Sequence, residues 1–235
     1  MTAIPGPGKL PGEVSGKLPE WRRVLAVVAH PDDESFGLGA VIDAFVQVGT
    51  VVEVLCLTQG EASTLAAAAD LGPRRSAELA EAGRRLGVAQ VRLHDFADGA
   101  LDLVDPQEVD DVVAATMRAV LPDGLLVFDP SGVTGHPDHR AATASAVRVA
   151  QRQELPVRAW TLPSGGVDAL NTEFGSTLHG NAAEEIDVQL EVSRGTQRHA
   201  VAAHESQAVP GSILWRRLEL LGDREVLRWL PTTPP

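Results

Sequence analysis

The sequence predicts an α/β fold, a doubly wound and mostly parallel sheet with helices on both faces. Three observations predict it. Two short, apolar, β-branched runs, Val24 to Ala29 and Leu125 to Phe128, have the character of parallel strands buried on both sides. Stretches of helical spacing alternate with these and similar runs. Each of the two runs also leads into a knot of imidazoles and carboxylates, Ala29-His30-Pro31-Asp32-Asp33-Glu34 and Gly135-His136-Pro137-Asp138-His139. Strand C-terminal ends are where open α/β sheets place their ligands.

After the first strand, Phe36 to Val48 has helical spacing and stops at Gly49, a residue suited to a C-cap. Val51 to Leu57 is a second strand, Pro73 to Leu86 a helix closed by Gly87, and Val91 to Leu93 a short strand leading into a loop from His94 to Asp105. Pro106 opens a helix to about Leu121, because a proline in the first turn gives up an N–H that has no helical partner anyway. Leu125 to Phe128 is then a strand, His139 to Arg152 a helix and Arg158 to Leu162 a strand. Pro163 to Asn181, rich in Gly, Ser, Thr and Asn, reads as a long loop at the rim of the site. Ile186 to Val188 is a further strand, Arg194 to His204 a helix and Ile213 to Leu221 another apolar segment. Met1 to Glu20, rich in Pro and Gly, reads as a flexible arm, residues 21–235 as one domain, and Pro231 to Pro235 as a loose tail.

A length of 235 residues suits one well-packed α/β domain and is short for two. Hydrophobic content of 44% and charged content of 22% are ordinary for a globular protein, and no apolar run approaches the ~20 residues of a membrane span. The N-terminus lacks the apolar core of a secretory signal, so a cytoplasmic location is expected. Cys56, the single cysteine, lies in a strand-like run; it forms no internal disulfide and reads as a core residue. A formal charge of -12 argues against a nucleic-acid partner, whose phosphates need a basic patch. Oligomeric state is not set by these features, although symmetric homo-oligomers are common for such domains.

A hydrolytic zinc site needs about three protein ligands and an open position for water. His30 and Asp33 stand at a strand-to-helix turn that can curl both side chains toward one point, and His139 would approach from a neighbouring strand end. Asp32, beside a ligand, could take a proton from activated water and deliver it to a leaving amine. His136, if protonated, could stabilise an oxyanion, and Asp138 could orient that imidazole and raise its pKa. Taken singly, each of these residues is as well explained as a helix cap, a surface carboxylate or a hydrogen-bonded histidine. Two such clusters, each directly after a buried strand, are not. His94, His179 and His199 have no partners at ligand spacing and read as structural.

These paired motifs resemble those of the PIG-L/LmbE-like family of metal-dependent N-deacetylases. Further family-like pieces occur in order: Leu57-Thr58-Gln59-Gly60-Glu61, Arg75-Ser76-Ala77-Glu78, Asp98-Gly99, Asp129-Pro130 and His204-Glu205-Ser206-Gln207. The resemblance runs from about Val24 to Leu221 and implies a Rossmann-like fold and usually zinc, with another divalent metal such as Fe2+ also compatible. It places the metal ligands on His30, Asp33 and His139, the general base on Asp32 and the oxyanion-stabilising imidazole on His136. It also implies a small-molecule substrate, an N-acetylglucosamine conjugate cleaved to acetate and a free amine. Arg75 and Asp98 would hold sugar hydroxyls. Beside that, Arg75 can be read as a helix pair with Glu78 worth only ~0.2–0.5 kcal/mol, and Asp98 as an Asp-Gly turn. His204 either approaches the site to bind substrate or closes a helix. In one place the chain departs from the pattern. Some related deacetylases carry a Tyr two residues before the second motif's first His, where this chain has Thr134 and, in all, no Tyr; either His136 alone assists the carbonyl or the activity is altered.

Four other readings compete. An amidase cutting a larger acyl group would differ only in the depth of its acyl pocket. Two His and one carboxylate also form the facial triad of non-haem iron oxygenases, but those sites usually sit on β-barrels. A metal-binding homologue without turnover would have no need of Asp32. Gly37-Leu38-Gly39 lacks the third glycine of a dinucleotide-binding turn, which is rejected.

Overall fold

The computed structural model describes residues 16–65 and 70–232. Seven strands form one sheet: β1 (Arg23–Val28), β2 (Val51–Thr58), β3 (Gln90–Phe96), β4 (Gly124–Phe128), β5 (Val157–Thr161), β6 (Val188–Glu191) and β7 (Arg224–Leu230), in the order β3-β2-β1-β4-β5-β7-β6. The five strands from β3 to β5 are parallel, with β1 central: Ala26 pairs with Val54 on one side and Leu126 on the other. β7 and β6 extend the sheet antiparallel beyond β5. The strand order reverses between β1 and β4, which makes their C-terminal ends the switch point of the sheet.

Seven α-helices cover the sheet: α1 (Gly39–Gln47), α2 (Leu71–Leu86), α3 (Pro106–Val120), α4 (Pro137–Arg152), α5 (Ser164–Phe174), α6 (Gly195–Val201) and α7 (Ile213–Leu221). Because successive strand residues point to opposite faces, β1 divides its side chains between two cores. Val24, Ala26 and Val28 pack with Leu38, Ile42 and Phe45 of the α1 region, Leu79 and Leu86 of α2 and Ala200 of α6. Leu25 and Val27 pack with Val113 and Met117 of α3 and Ala146 and Val149 of α4. A fully buried Leu, Ile or Phe contributes about 1.5–3 kcal/mol, so both faces hold β1 rigidly. α3 starts as expected, with Pro106 in its first turn and the Asp105 carboxylate accepting from Gln107 N at 2.9 Å.

The structure differs from the sequence reading at identifiable places. Asp33–Gly37 forms a π-helical turn ahead of α1. β3 runs on through His94 and Phe96, which read as loop because this edge strand is mostly exposed and polar. Within the expected loop of 163–181, Ser164–Phe174 is a helix, burying only Val167 and Leu170, too few apolar positions to show a period. β7 was not expected at all: its alternation is masked by Glu225, a buried charge paired with Arg194 and Trp160. Residues 1–15 of the expected arm and 233–235 of the tail lie outside the described residues; Leu18, further along the arm, packs against the core.

Helices α3 and α4 are pinned together by Asp110, whose buried carboxylate accepts from Ser145 Oγ at 2.7 Å, Arg148 Nη2 at 2.7 Å and Arg152 Nη2 at 2.9 Å. Burial would raise this carboxyl, but Arg148 and Ser145 more than offset it and hold it below the usual range. A depressed folded-state pKa contributes stability above the unfolded value that is lost as pH falls through the folded one. Asp110→Ala is therefore expected to cost ~1–3 kcal/mol in urea denaturation at neutral pH, and the deficit should shrink as the pH drops below the carboxylate range. An equal deficit at all pH values would contradict the role given to this ion cluster.

Candidate metal centre

The chain leaves β1 and turns back on itself through Asp33, whose Oδ2 accepts from the backbone N–H groups of His30 at 2.9 Å and Ala29 at 3.2 Å. The Ala29 carbonyl is held in turn by Thr58 N and Oγ1 from the end of β2, both at 2.9 Å. After β4, Gly132 N bonds to Asp129 O at 2.7 Å, and the turn delivers His136 to the N-cap of α4 and His139 to its first turn. Two buried strands thus supply the frame, and the loops after them supply the groups.

His30 Nδ1 lies 3.1 Å from His139 Nε2, and His139 Nε2 lies 3.1 Å from Asp33 Oδ1. The opposite nitrogen of each ring is already engaged. His30 Nε2 faces Asp98 Oδ1 at 3.0 Å and Asp138 Oδ2 at 3.2 Å, while His139 Nδ1 faces Gly132 O at 3.0 Å and Thr134 Oγ1 at 3.1 Å. With those outer nitrogens donating, the inner nitrogens face each other and a carboxylate across one hollow, an arrangement relieved either by a proton shared between the rings or by a cation among the three. Metal bonds of about 2.0–2.2 Å at tetrahedral angles would separate neighbouring donor atoms by roughly 3.3 Å, close to the spacings found. The residues fit a divalent metal, and the outer acceptors are the partners that fix ligand tautomers. The local field agrees. Burial would disfavour a charged His30, but Asp138, Asp98 and Asp33 reverse this and push it up to about 10.

Asp32 sits beside this hollow in a left-handed conformation, φ 110° and ψ −26°, which costs a non-glycine residue about 1–3 kcal/mol. Its Oδ2 is 3.2 Å from Arg75 Nη2. Burial pushes the Asp32 carboxyl up to about 6, Arg75 opposing and Asp33 adding to the rise. Arg75 is itself anchored on the carbonyls of Gly60, at 2.6 Å, and Pro31. Gly60 has φ 67°, and a Cβ there would stand 2.2 Å from Arg75 Nη1, so only glycine lets the guanidinium lie across this turn.

Several sequence assignments change. The Asp138 carboxylate does not orient His136: it accepts from Gly99 N at 2.7 Å and Leu101 N at 3.1 Å and faces His30, while its backbone N–H donates to His136 Nδ1 at 3.2 Å. Accepting that N–H leaves His136 with Nε2–H as its donor, and burial followed by the nearby imidazoles lowers its pKa, which disfavours the protonated form on which its oxyanion role was made conditional. Arg75 is committed to Asp32 and two carbonyls, and Glu78 pairs instead with Arg74 at 3.1 Å. His204 does not reach substrate space; it is fully buried and bonds Glu34 at 2.7 Å. The motif that carries it is a brace: Ser206 donates to Glu78 from N at 2.9 Å and from Oγ at 2.6 Å, and Gln207 accepts from Ser63 at 2.8 Å.

The centre lies in a cleft of about 530 Å³. On the β2 and β3 side its rim carries Ser63, Thr64, Arg75 and Asp98; on the β5 side the wall is mostly apolar, with Phe36, Phe128, Trp160, Leu162 and Ile213, and includes the Arg217 guanidinium over Trp160. That wall was not legible in the sequence, since its members come from distant elements and nothing marks them before folding. The contacts of Glu34 with His204 and of Thr134 with His139 were likewise not legible, although both residues stand in or beside the motifs.

Fold and site together define an α/β protein with a two-histidine, one-carboxylate centre at the sheet's switch point. Residues 25–150 match the PIG-L family, described as GlcNAc-PI de-N-acetylase, and the chain belongs to that family. It is 34% identical to a 1D-myo-inositol 2-acetamido-2-deoxy-alpha-D-glucopyranoside deacetylase of Rhodococcus opacus, over 79% of this chain and 82% of the relative. With the protein of the same description from Kineococcus radiotolerans it shares 33% identity over 63% of this chain and 47% of that one. The chain spans about half the length of several such relatives, 47% and 53% in two cases. A deacetylase from the teicoplanin biosynthesis pathway superposes with a TM-score of 0.68 over 88% of this chain and 96% of the other; at 22% identity that likeness speaks for the fold alone.

Two groups can hold a metal, His30 with Asp33 and His139 or His30 with His136 and Asp138, and mutation distinguishes them. His139→Ala is expected to lose stoichiometric zinc on mild chelation followed by metal analysis, whereas His136→Ala keeps it; the reverse order would recast His136 as the ligand.

Proposed function

We propose that this chain is a metal-dependent hydrolase that removes the acetyl group from an N-acetylglucosamine-type conjugate, a cofactor precursor or specialised metabolite, giving acetate and a free amine. The observation that carries the reading is the convergence of His30, Asp33 and His139 with a separate carboxylate, Asp32, beside them. Relatives described as deacetylases of N-acetylated sugars support it. Zinc, or another divalent ion such as Fe2+, would be held by His30, Asp33 and His139 and would supply Lewis acidity to the amide carbonyl and the attacking water.

Asp32 takes the proton from water as it attacks the carbonyl carbon and returns it to the leaving nitrogen when the C–N bond breaks. Arg75 aims that carboxylate. His136 offers its Nε2–H to the oxyanion of the tetrahedral intermediate, with Nδ1 occupied by the α4 N-terminus. Asp138 and Asp98 hold His30 in the tautomer that ligates. The polar rim at Ser63 and Thr64 faces the sugar. Among the described residues no helix is long and apolar enough to cross a membrane, consistent with a small-molecule substrate met outside the bilayer.

The apolar wall favours one variant of this reading. If the sugar lies on the rim at the β2 and β3 side, the acyl half of the amide points along Phe36, Phe128 and Trp160, and a chain longer than acetyl would bury more surface there.

Amine release from N-acetylglucosamine conjugates by the zinc-loaded protein tests the reaction. Asp32→Asn should retain zinc while turnover falls ~10²–10⁴-fold; unchanged turnover would remove Asp32 from the mechanism. Across N-acetyl, N-butanoyl and N-octanoyl glucosamine, kcat/KM rising with chain length would establish the longer acyl group, and a fall would establish acetyl.

A further inference from the structure

We infer that Glu34 and His204 form a buried brace that holds Asp32 in its left-handed conformation and so sets where its carboxylate stands. The inference rests on the reading of Asp32 as general base. The Asp32 N–H donates to Glu34 Oε2 at 2.9 Å. The other oxygen of Glu34 accepts from Ser35 Oγ at 2.5 Å and from His204 Nε2 at 2.7 Å. Both Glu34 and His204 are 0% exposed, and neither borders the cleft, so neither touches substrate.

A carboxylate sealed from water needs a compensating partner, and the His204 imidazole is in hydrogen-bond contact with it through Nε2. Burial would keep that imidazole neutral, but Glu34 reverses the effect and raises it. His204 Nδ1 has no hydrogen-bond partner among the described residues, so the polar contacts of the ring go to Glu34 and to Ser35 Oγ at 3.3 Å. The element that delivers His204 also grips the same turn. From α6, Gln197 Nε2 donates to Ser35 O at 2.9 Å and to Phe36 O at 3.1 Å. The π-helical turn of 33–37 is thus clamped from beneath at its side chains and its carbonyls, and the one residue of the turn region that pays in backbone strain is the one whose carboxylate faces the metal hollow. Glu34 and His204 are positioning residues for that carboxylate.

Removing one partner would strand the other in the core, so the test replaces both. Glu34→Leu/His204→Phe leaves no buried charge, a change that can be nearly neutral for stability. The expected result is a fall in kcat of about 10²-fold, the penalty typical of a misplaced catalytic group, with KM and zinc content unchanged and with no further loss when the pair is combined with Asp32→Asn. Glu34→Gln, whose amide oxygen can still accept the Asp32 N–H while its NH2 donates to the Nε2 of a neutral His204, should recover most of the activity. An equal further loss in the Asp32→Asn background, or undiminished kcat in the paired variant, would overturn the inference. A crystal structure of the paired variant decides the same point without turnover: φ of Asp32 should leave the region near 110°. Retention of that angle would overturn the brace, whereas wild-type protein that binds zinc and cleaves no amide would overturn the proposed reaction instead.

Discussion

Two strands locked side by side in the middle of the sheet deliver imidazoles that meet at 3.1 Å with a carboxylate against them, and most of what surrounds the cleft follows from keeping that contact in place. Bare lone pairs at that distance repel, so positive charge has to lie between the rings, as a shared proton or as a cation. β1 is fixed by packing on both faces, and β4 is fixed by register with β1. The outer nitrogens are then tied to Asp138, Asp98, Gly132 and Thr134, which leaves the inner nitrogens no other use.

The charges around the centre are arranged in opposition. Asp33 is held well below the usual carboxylate range because His139 and His30 outweigh the burial that would raise it, whereas Asp32, next in sequence, is pushed up by that same burial. Adjacent carboxylates in one loop thereby acquire different proton affinities, which is the condition for one to ligate and the other to move a proton. The separation depends on direction. Asp33 curls back onto its own backbone N–H groups, and Asp32 is turned the other way by a strained φ and met by Arg75.

The strand-then-cluster pattern was legible because a buried parallel strand leaves a continuous apolar run, and His and Asp directly after such a run have few structural reasons to be there. His30, Asp33, His139 and Asp32 could therefore be singled out as candidates before any coordinates, and the structure brings them together. The partners of those residues could not. Asp138 was paired with His136 by proximity along the chain, but the first turn of α4 points its carboxylate toward His30 and the loop at Gly99. The sequence leaves His204 open between approaching the site and closing a helix; its burial against Glu34 depends on how α6 crosses the π-helical turn, a tertiary fact with no local signal. β7 was hidden for a related reason, its Glu225 being tolerable in the core only because Arg194 and Trp160 reach it.

The central claim is that one metal ion sits among His30, Asp33 and His139. A second grouping, His30 with His136 and Asp138, also brings donor atoms within 4.8 Å of one another and offers a rival seat on the other nitrogen of the same ring. Anomalous diffraction at the zinc edge, from crystals grown with one equivalent of zinc, distinguishes them. The predicted result is a single peak within about 2.0–2.2 Å of His30 Nδ1, His139 Nε2 and an Asp33 oxygen. A peak on the His30 Nε2 side, bounded by His136 and Asp138, would contradict the assignment of ligands and with it the place given to Asp32.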